Sequence, residues 1–477
     1  MTRARIVAVL FAALALSIAC TALYLVGTGG HAIHNGDEAM YAEAAREMVA
    51  TGDYADLRWQ GDIQLVRPPL AVWVLVLGRV FLDGEPAVRW PLAAMCGLQV
   101  ALVFVLGFLW FERRWLGGLC AAGMLATADL FVGYARYVES EPVLCVAIVA
   151  AIIGWELARR RRGWVILWGV GLGAALMTKQ LIGAIPLLCP LVERVASDGD
   201  RAVWRKTWLG LVAAALVWTP WHLRQTLHHG ARFWSAYIGQ NVVERSQTAL
   251  LHVTRPTYYV RELWRAEGVF AVVFAVAVGF CVWRAVRHRR RRELSILLWV
   301  LGPLLVFTIA SSRYDHYALV IYPALALAVA ELAVLPLRQS LLALVAVVLV
   351  GGAFATHAWR HLSTFDGDDE IRALMRAAHN GEAVYAYNTH AYSAKYYLGD
   401  AKVSTLLESR TDFDTALGLH AAGMPASVVL ATNLAATLET LPRPHWLLLP
   451  RARANLIAGI SLTPTAESRH YLLLHNP

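Results

Sequence analysis

The stretch Val143-Leu144-Cys145-Val146-Ala147-Ile148-Val149-Ala150-Ala151-Ile152-Ile153-Gly154-Trp155 is apolar from end to end. Glu139-Ser140-Glu141-Pro142 precedes it, and Arg159-Arg160-Arg161-Arg162 follows shortly after. Such a run reads as a membrane-crossing helix, 142–158, with acids at one end and arginines at the other. Comparable runs lie near 6–27, 90–110, 116–134, 163–178, 181–193, 207–221, 267–285, 294–311, 317–335 and 340–358. Several fall short of the roughly 20 residues a crossing usually takes. The expectation is therefore a polytopic α-helical membrane protein of about 11 to 13 spans. The first run, behind Arg3 and Arg5, reads as an uncleaved helix, because Ser17 stands where a lipoprotein cleavage site wants Leu.

Composition agrees. Of 477 residues, 58% are hydrophobic and only 16% charged, against about 25% charged in soluble domains. A purely cytosolic enzyme and a disordered chain are both excluded. The net charge of +9 rests mostly on arginine, since Lys179, Lys206, Lys395 and Lys402 are the only lysines. Arg3, Arg5, Arg113, Arg114, Arg159 to Arg162 and the clusters at 194–206, 284–292 and Arg338 fall in alternate loops. The positive-inside rule makes that side cytoplasmic, so the basic excess reports topology and not nucleic acid. The six cysteines sit in apolar stretches without ligand or disulfide spacing and read as buried small hydrophobes.

The opposite side receives 28–89, 222–266 and 359–477, with the short loops 134–141 and 312–316. In the tail, helical stretches (Asp368 to His379, Asp412 to His420) alternate with strand-like runs (Ala383 to Tyr387, Ser427 to Ala431, Trp446 to Leu449). That alternation predicts a C-terminal extracytoplasmic α/β domain, 359–477, beyond a membrane domain, 1–358.

The first outer loop carries the densest chemistry. After the Asn35-Gly36 turn, Asp37 occupies an N-cap position, and Tyr41, Ala44, Ala45 and Met48 form an apolar stripe. This predicts an interfacial amphipathic helix with a carboxylate at its start. A plain cap is an equally good account of Asp37. Arg67, before Pro68-Pro69, sits at the membrane boundary, where a snorkelling arginine is the ordinary reading. The apolar run after the prolines is too short to span. Glu139 and Glu141 end one outer loop, with Arg136 nearby as a structural partner. Lys179 marks another outer turn, and Arg313/Tyr314/Asp315/His316/Tyr317 a third. Carboxylates at span ends are costly unless paired. Five such elements on one face imply a site.

Asp37-Glu38-x-x-Tyr41-Ala42, Arg46-Glu47-Met48, Gly52-Asp53, Arg67-Pro68-Pro69-Leu70 with Trp73, and Ala87 with Arg89-Trp90-Pro91 together resemble the bacterial relatives of protein O-mannosyltransferases. These are membrane glycosyltransferases of the GT-C fold, a group that includes the lipid A aminoarabinose transferases. The likeness continues through Ala135-Arg136, Glu141, Thr178-Lys179, Phe233-Trp234-x-x-Tyr237-Ile238-Gly239, Ser312-Arg313-x-x-His316-Tyr317 and Tyr322-Pro323-Ala324. It reaches the tail at Ala383 to Tyr387 and Tyr396-Tyr397-Leu398-Gly399. By this resemblance, Asp37 is the first-loop aspartate and Glu141 stands at the second acidic position, usually Asp. Arg67 replaces the usual Lys. Val66 and Gln180 stand where the aminoarabinose transferases often have Glu and usually have Gly. These departures weaken aminoarabinose transfer to lipid A specifically, not the superfamily.

The resemblance implies transfer of a sugar from a polyprenyl phosphate carrier to a lipid, polysaccharide or protein acceptor on the outer face of the inner membrane. Asp37 and Glu141 are expected as catalytic carboxylates. Arg67, Lys179 and Arg313 are expected on the donor phosphate, and Glu38, Tyr41, Arg136, His316 and Tyr317 on substrate. A divalent cation held partly by Glu141 is admitted but not required, and lone His252 and His316 do not establish one. The aromatics Phe233, Trp234, Tyr237, Tyr258 and Tyr259 suit acceptor choice or an interfacial belt. A transporter or flippase of a lipid-linked substrate is the alternative. It calls for ionisable residues at span midpoints and inverted repeats, neither of which is seen. A scaffold is a third reading, with no use for so charged a loop.

Overall fold

A computed structural model describes residues 2–112, 114–196, 202–244, 256–288, 291–311, 313–334, 352, 359, 362, 365, 367–378, 381–389, 391–421 and 427–477. Helices α1 (Arg3–Leu25), α4 (Gly84–Trp110), α5 (Arg114–Thr127), α7 (Glu141–Ala158) and α8 (Val165–Leu176) form one side of the bundle. Close approach depends on glycine. A Cβ on Gly171 of α8 would stand 2.7 Å from the Ala147 carbonyl of α7, and one on Gly169 would stand 2.0 Å from the Gly210 carbonyl of α10 (Ala202–Trp234). Small residues let backbones meet where lipid gives no hydrophobic drive.

Six segments among the described residues are long and apolar enough to cross a membrane: Arg3–Leu25, Gly84–Trp110, Glu141–Ala158, Phe270–His288, Arg291–Ile309 and Asp315–Ala333. The protein is a multi-pass membrane protein. Other expected spans differ in form. The run 116–134 breaks at Ala128 into α5 and α6 (Asp129–Tyr134), because Glu267 accepts the Asp129 and Leu130 amides and caps a new helix there. The run 181–193 is a 3-10 turn (Ile182–Leu187) followed by α9 (Leu188–Ala196). The described residues of 222–266, a stretch read as a loop, are mostly helical. Helix α10 continues to Trp234 through a break at Gly230 (φ +54°), and α11 spans Tyr258–Glu267. Helices α12 (Phe270–His288), α13 (Arg291–Ile309) and α14 (Tyr322–Ala333) complete the bundle. The expected span 340–358 lies almost wholly outside the described residues.

In the first loop, α2 (Asp37–Thr51) is covered by protein on more than its apolar stripe. Ala39, Tyr41, Ala42, Glu43, Ala44, Ala45, Glu47 and Met48 are all buried, so both its apolar and polar faces are covered. It packs on α3 (Leu70–Phe81) and on a helix of the C-terminal domain. A hairpin absent from the sequence reading, β1 (Leu57–Trp59) with β2 (Asp62–Gln64), follows it.

The tail begins with α15 (Asp369–Ala377) and continues β3 (Ala383–Tyr387), α16 (Ala391–Leu398), β4 (Val403–Leu407), α17 (Arg410–Ala421), β5 (Val428–Leu430), α18 (Leu434–Thr440) and β6 (His445–Pro450). It ends in β7 (Thr463–Glu467) and β8 (Tyr471–Asn476). The sheet order is β5-β4-β3-β6-β8-β7, parallel through β6 and antiparallel beyond. It docks on the first loop through polar pairs. Asn35 Oδ1 accepts the Tyr392 and Ser393 amides, Arg372 meets Glu85 at 2.9 Å, and Lys395 lies 3.7 Å from buried Glu43.

Candidate functional site

Asp37 is the first residue of α2, and its N-cap is Gly36 at φ +101°. The side chain makes no cap hydrogen bond, so the capping role read from sequence does not hold. The carboxylate instead accepts from Arg67 Nη1 at 3.2 Å and Nη2 at 3.3 Å. Arg67 lies on an extended stretch that Pro68 and Pro69 keep out of helix, and neighbours pin that stretch from outside. The Val66 carbonyl accepts from Gln180 and Asn241, each at 2.8 Å, and the Leu70 amide donates to the Met177 carbonyl. The guanidinium sits over the Tyr41 ring, 5.2 Å from its centroid. Arg67 therefore faces protein and not lipid.

Glu141 opens α7 and is buried. Lys179, in the turn after α8, donates to its Oε1, and the ammonium lies 4.3 Å from the Tyr317 ring centroid. Ser140 donates to the other oxygen at 3.1 Å. His316 Nε2 stands 3.9 Å from Glu141 Oε1, and Tyr314 stacks on its ring. The Tyr134 hydroxyl donates to Asp315 at 2.6 Å.

A third carboxylate enters between these pairs. Ligand atoms of Asp37, Glu139 and His316 lie within 4.8 Å of one another. Burial raises the Glu139 carboxyl well above the usual carboxylate range, and the Asp37 and Glu141 charges push it further. Burial also works to raise Asp37, but Arg67, His316 and Lys179 outweigh it and hold that carboxyl below its ordinary value. One cluster thus favours the charged form of Asp37 and the neutral form of Glu139. Two carboxylates and an imidazole are also a donor set that fits a hard or borderline divalent cation.

The cluster gathers Asp37, Glu141, Arg67, Lys179, Tyr41, His316 and Tyr317 of the residues named from sequence. Three others go elsewhere. Glu38 pairs with buried Arg89 at 2.9 Å and accepts the His34 amide, while Arg89 also donates to the carbonyls of Thr28, His31 and Ala32. Consecutive helical residues point about 100° apart, so Asp37 and Glu38 cannot serve one centre. Arg136 donates to the Val26 carbonyl and lies over Phe365, away from Glu141. Arg313 donates to the Thr308 carbonyl at the end of α13. Of the aromatics, Phe233 and Tyr237 are buried against each other and His222, with no face open to a sugar. His252 lies outside the described residues. Glu139, noted from sequence beside Glu141 in an outer loop but given no role of its own, also belongs to the cluster.

The profile of the dolichyl-phosphate-mannose-protein mannosyltransferases matches residues 7–238. An undecaprenyl phosphate-α-4-amino-4-deoxy-L-arabinose arabinosyl transferase from Edwardsiella ictaluri is 26% identical over 66% of this chain and 58% of its own. This and similar curated relatives are longer, and the match spans under three fifths of their length. The crystal structure of ArnT from Cupriavidus metallidurans in the apo state is similar across 100% of this chain and 99% of its own, with TM-score 0.72 and 18% identity. An archaeal oligosaccharyltransferase from Archaeoglobus fulgidus, solved with an inhibitory peptide and a dolichol-phosphate, gives 0.58 at 11% identity over 82% of this chain and 64% of its own. Fold and cluster together define a multi-pass membrane protein of the GT-C fold. The chain is similar to the dolichyl-phosphate-mannose-protein mannosyltransferases in its first half and to the aminoarabinosyl transferases over about two thirds of its length.

Proposed function

We propose that this chain transfers a sugar from a polyprenyl phosphate carrier to a cell-envelope acceptor: lipid A, lipopolysaccharide core, a polysaccharide or a protein. The reading places it in the inner membrane, with 1–358 as the catalytic membrane domain and 359–477 on the periplasmic side. One observation carries it: a partly exposed carboxylate accepts both Nη groups of an arginine on one oxygen, beside a second, lysine-paired carboxylate.

In the proposed reaction the acceptor oxygen forms a bond to the anomeric carbon as the bond from that carbon to the carrier phosphate breaks. The phosphate leaves with the electron pair. Arg67 offers a planar fork to the charge developing on it, and Lys179 adds a point charge. A hydroxyl acceptor gives its proton to Asp37, which its cationic neighbours keep ionised. A phosphate acceptor needs no base, and Asp37 then steadies the positive charge growing on the sugar ring. Glu141 holds Lys179 in place. Asp37→Asn is the direct test: sugar transfer to envelope lipids in membranes should disappear while the melting temperature stays put. Full transfer by that variant would overturn the proposal.

A further inference from the structure

Two cavities border the β1–β2 hairpin. The outer one, about 450 Å³, opens between the hairpin and the 232–240 stretch, with Asp62, Gln64, Arg232, Ser235 and Gln240 giving it a mixed lining of donors and acceptors. The inner one is a constriction of about 40 Å³ on the α2 side, walled by Met40, Tyr41 and Trp59 and reaching Arg67. That is room for about three waters and too little for a sugar ring. Arg58 and Gln64 border both cavities. The two three-residue strands thus contribute to the walls of both.

The tip of that hairpin is tied down by an unusual residue. Gln60 and Gly61 have φ of +52° and +85°, as a two-residue type I′ turn requires. Asn, Asp or Gly normally fills the first position, and a glutamine there is strained. What glutamine adds is reach. Its Nε2 donates to the Val403 carbonyl at 2.7 Å, and its Oε1 accepts the Val403 amide at 3.1 Å. The carboxamide thus pairs with the first residue of β4 as a neighbouring strand would. Trp59 rests edge-on against Tyr392 of α16 at 5.2 Å, and Glu47 accepts the Gly61 amide at 3.1 Å. Strain of this kind persists where surrounding contacts over-determine it, and it gathers at functional positions.

We infer that the hairpin is a gate between the charged cluster and an outer acceptor vestibule, and that Gln60 is a positioning residue latching the gate to the C-terminal domain. The inference rests on the sugar-transfer reading and deepens it by giving the acceptor a place. The vestibule's mixed donors and acceptors suit a polyhydroxylated head group. Latched, the gate keeps bulk water from the donor; lifted, it brings the acceptor oxygen past Tyr41 to Asp37.

The test uses the full chain in lipid nanodiscs with undecaprenyl phosphate-linked sugars extracted from the host envelope. In Gln60→Ala, hydrogen exchange of amides 57–64 should rise about tenfold, as for the loss of two net hydrogen bonds. Release of free sugar without acceptor should rise several-fold, with undecaprenyl phosphate affinity unchanged. Gln60→Glu, which lacks the amide donor, should behave likewise. Arg232→Ala should raise KM for purified lipopolysaccharide and leave KM for the donor alone. Unchanged exchange in Gln60→Ala overturns the latch, and so does a fall in sugar release, which marks a merely structural residue. An unchanged lipopolysaccharide KM in Arg232→Ala overturns the vestibule. A parent chain that turns over no donor overturns the sugar-transfer reading and the vestibule with it, and the latch then stands or falls on exchange alone.

Discussion

At the arginine-rich end of the bundle, Arg284 and Arg292 face Glu293 and Glu331 in a closed ring. Arg284 reaches Glu293 at 3.1 Å and Glu331 at 2.6 Å, and Arg292 reaches the same two oxygens at 3.4 and 2.7 Å. Both glutamates are fully buried. At the other end of α7, some 26 Å away by helical rise, the catalytic candidates obey a different rule. There Asp37 remains a quarter exposed against Arg67, Lys179 is shared between Glu141 and an aromatic face, and Glu139 adds a carboxyl that lies near Lys179 and Arg67 without an ion pair among the described residues. The first cluster is balanced two against two and closed on itself. The second also pairs its charges, but it holds a third carboxyl and Arg67 borders a cavity. Charge buried for architecture is sealed from water, whereas charge kept for chemistry stays partly exposed within reach of a substrate.

The largest effect should come from breaking the balanced ring. Glu331→Ala leaves two arginines against one glutamate and should cost about 3–5 kcal/mol of stability, read as thermal unfolding in detergent. Donor turnover per folded molecule should be unchanged. A loss of turnover without loss of stability would erase the contrast between the ends.

Arg67→Ala reverses that pattern. Removing the fork from the leaving phosphate should lower turnover by about 10²–10³, with little change in melting temperature because its partner Asp37 keeps access to water. Arg67→Lys, which restores charge without the bidentate geometry, should recover part of the rate. Equal inactivity of the two variants would mean that geometry alone matters.

How much of this was legible is best seen residue by residue. The run 143–155 announced α7, because the bilayer's length demand leaves few other readings of such a stretch. Lys179 and Glu141 were legible as costly charges at span ends. Glu38 was not separable from Asp37, since which neighbour finds Arg67 and which finds Arg89 depends on helix rotation that only packing fixes. The hairpin was invisible for a different reason: three-residue strands are shorter than any periodic signal, and Gln60-Gly61 is not the Asn-Gly dipeptide that marks such turns. Strands β7 and β8 escaped similarly, with Pro464 inside an edge strand. The break at Ala128 needed Glu267, a residue 138 positions away.

A smaller effect isolates Glu139. Its raised pKa means that the folded chain holds a proton that the unfolded chain gives up near pH 4.5, the ordinary glutamate value. Stability from this group is therefore complete below that pH and is lost as pH rises toward the raised native value. Glu139→Gln cannot ionise, so its melting temperature should fall less across the same interval, the gap to the parent widening with pH. Parallel curves would mean that Glu139 is charged in the native state, leaving three carboxylates in the open cluster against Arg67 and Lys179.

The smallest effect supplies the scale for both ends. Arg410 and Asp414 form an i,i+4 pair on α17 at 3.0 Å, with side chains 69% and 54% exposed. By distance this pair equals the bonds in either buried cluster. In water, however, its attraction is screened and is set against the entropy of holding two long side chains, so Arg410→Ala should shift stability by no more than about 0.5 kcal/mol. The same change should leave donor turnover untouched. If it cost as much as Glu331→Ala, separation and not solvent would govern ion pairs in this protein, and the difference between the two ends of α7 could no longer be ascribed to how each cluster meets water.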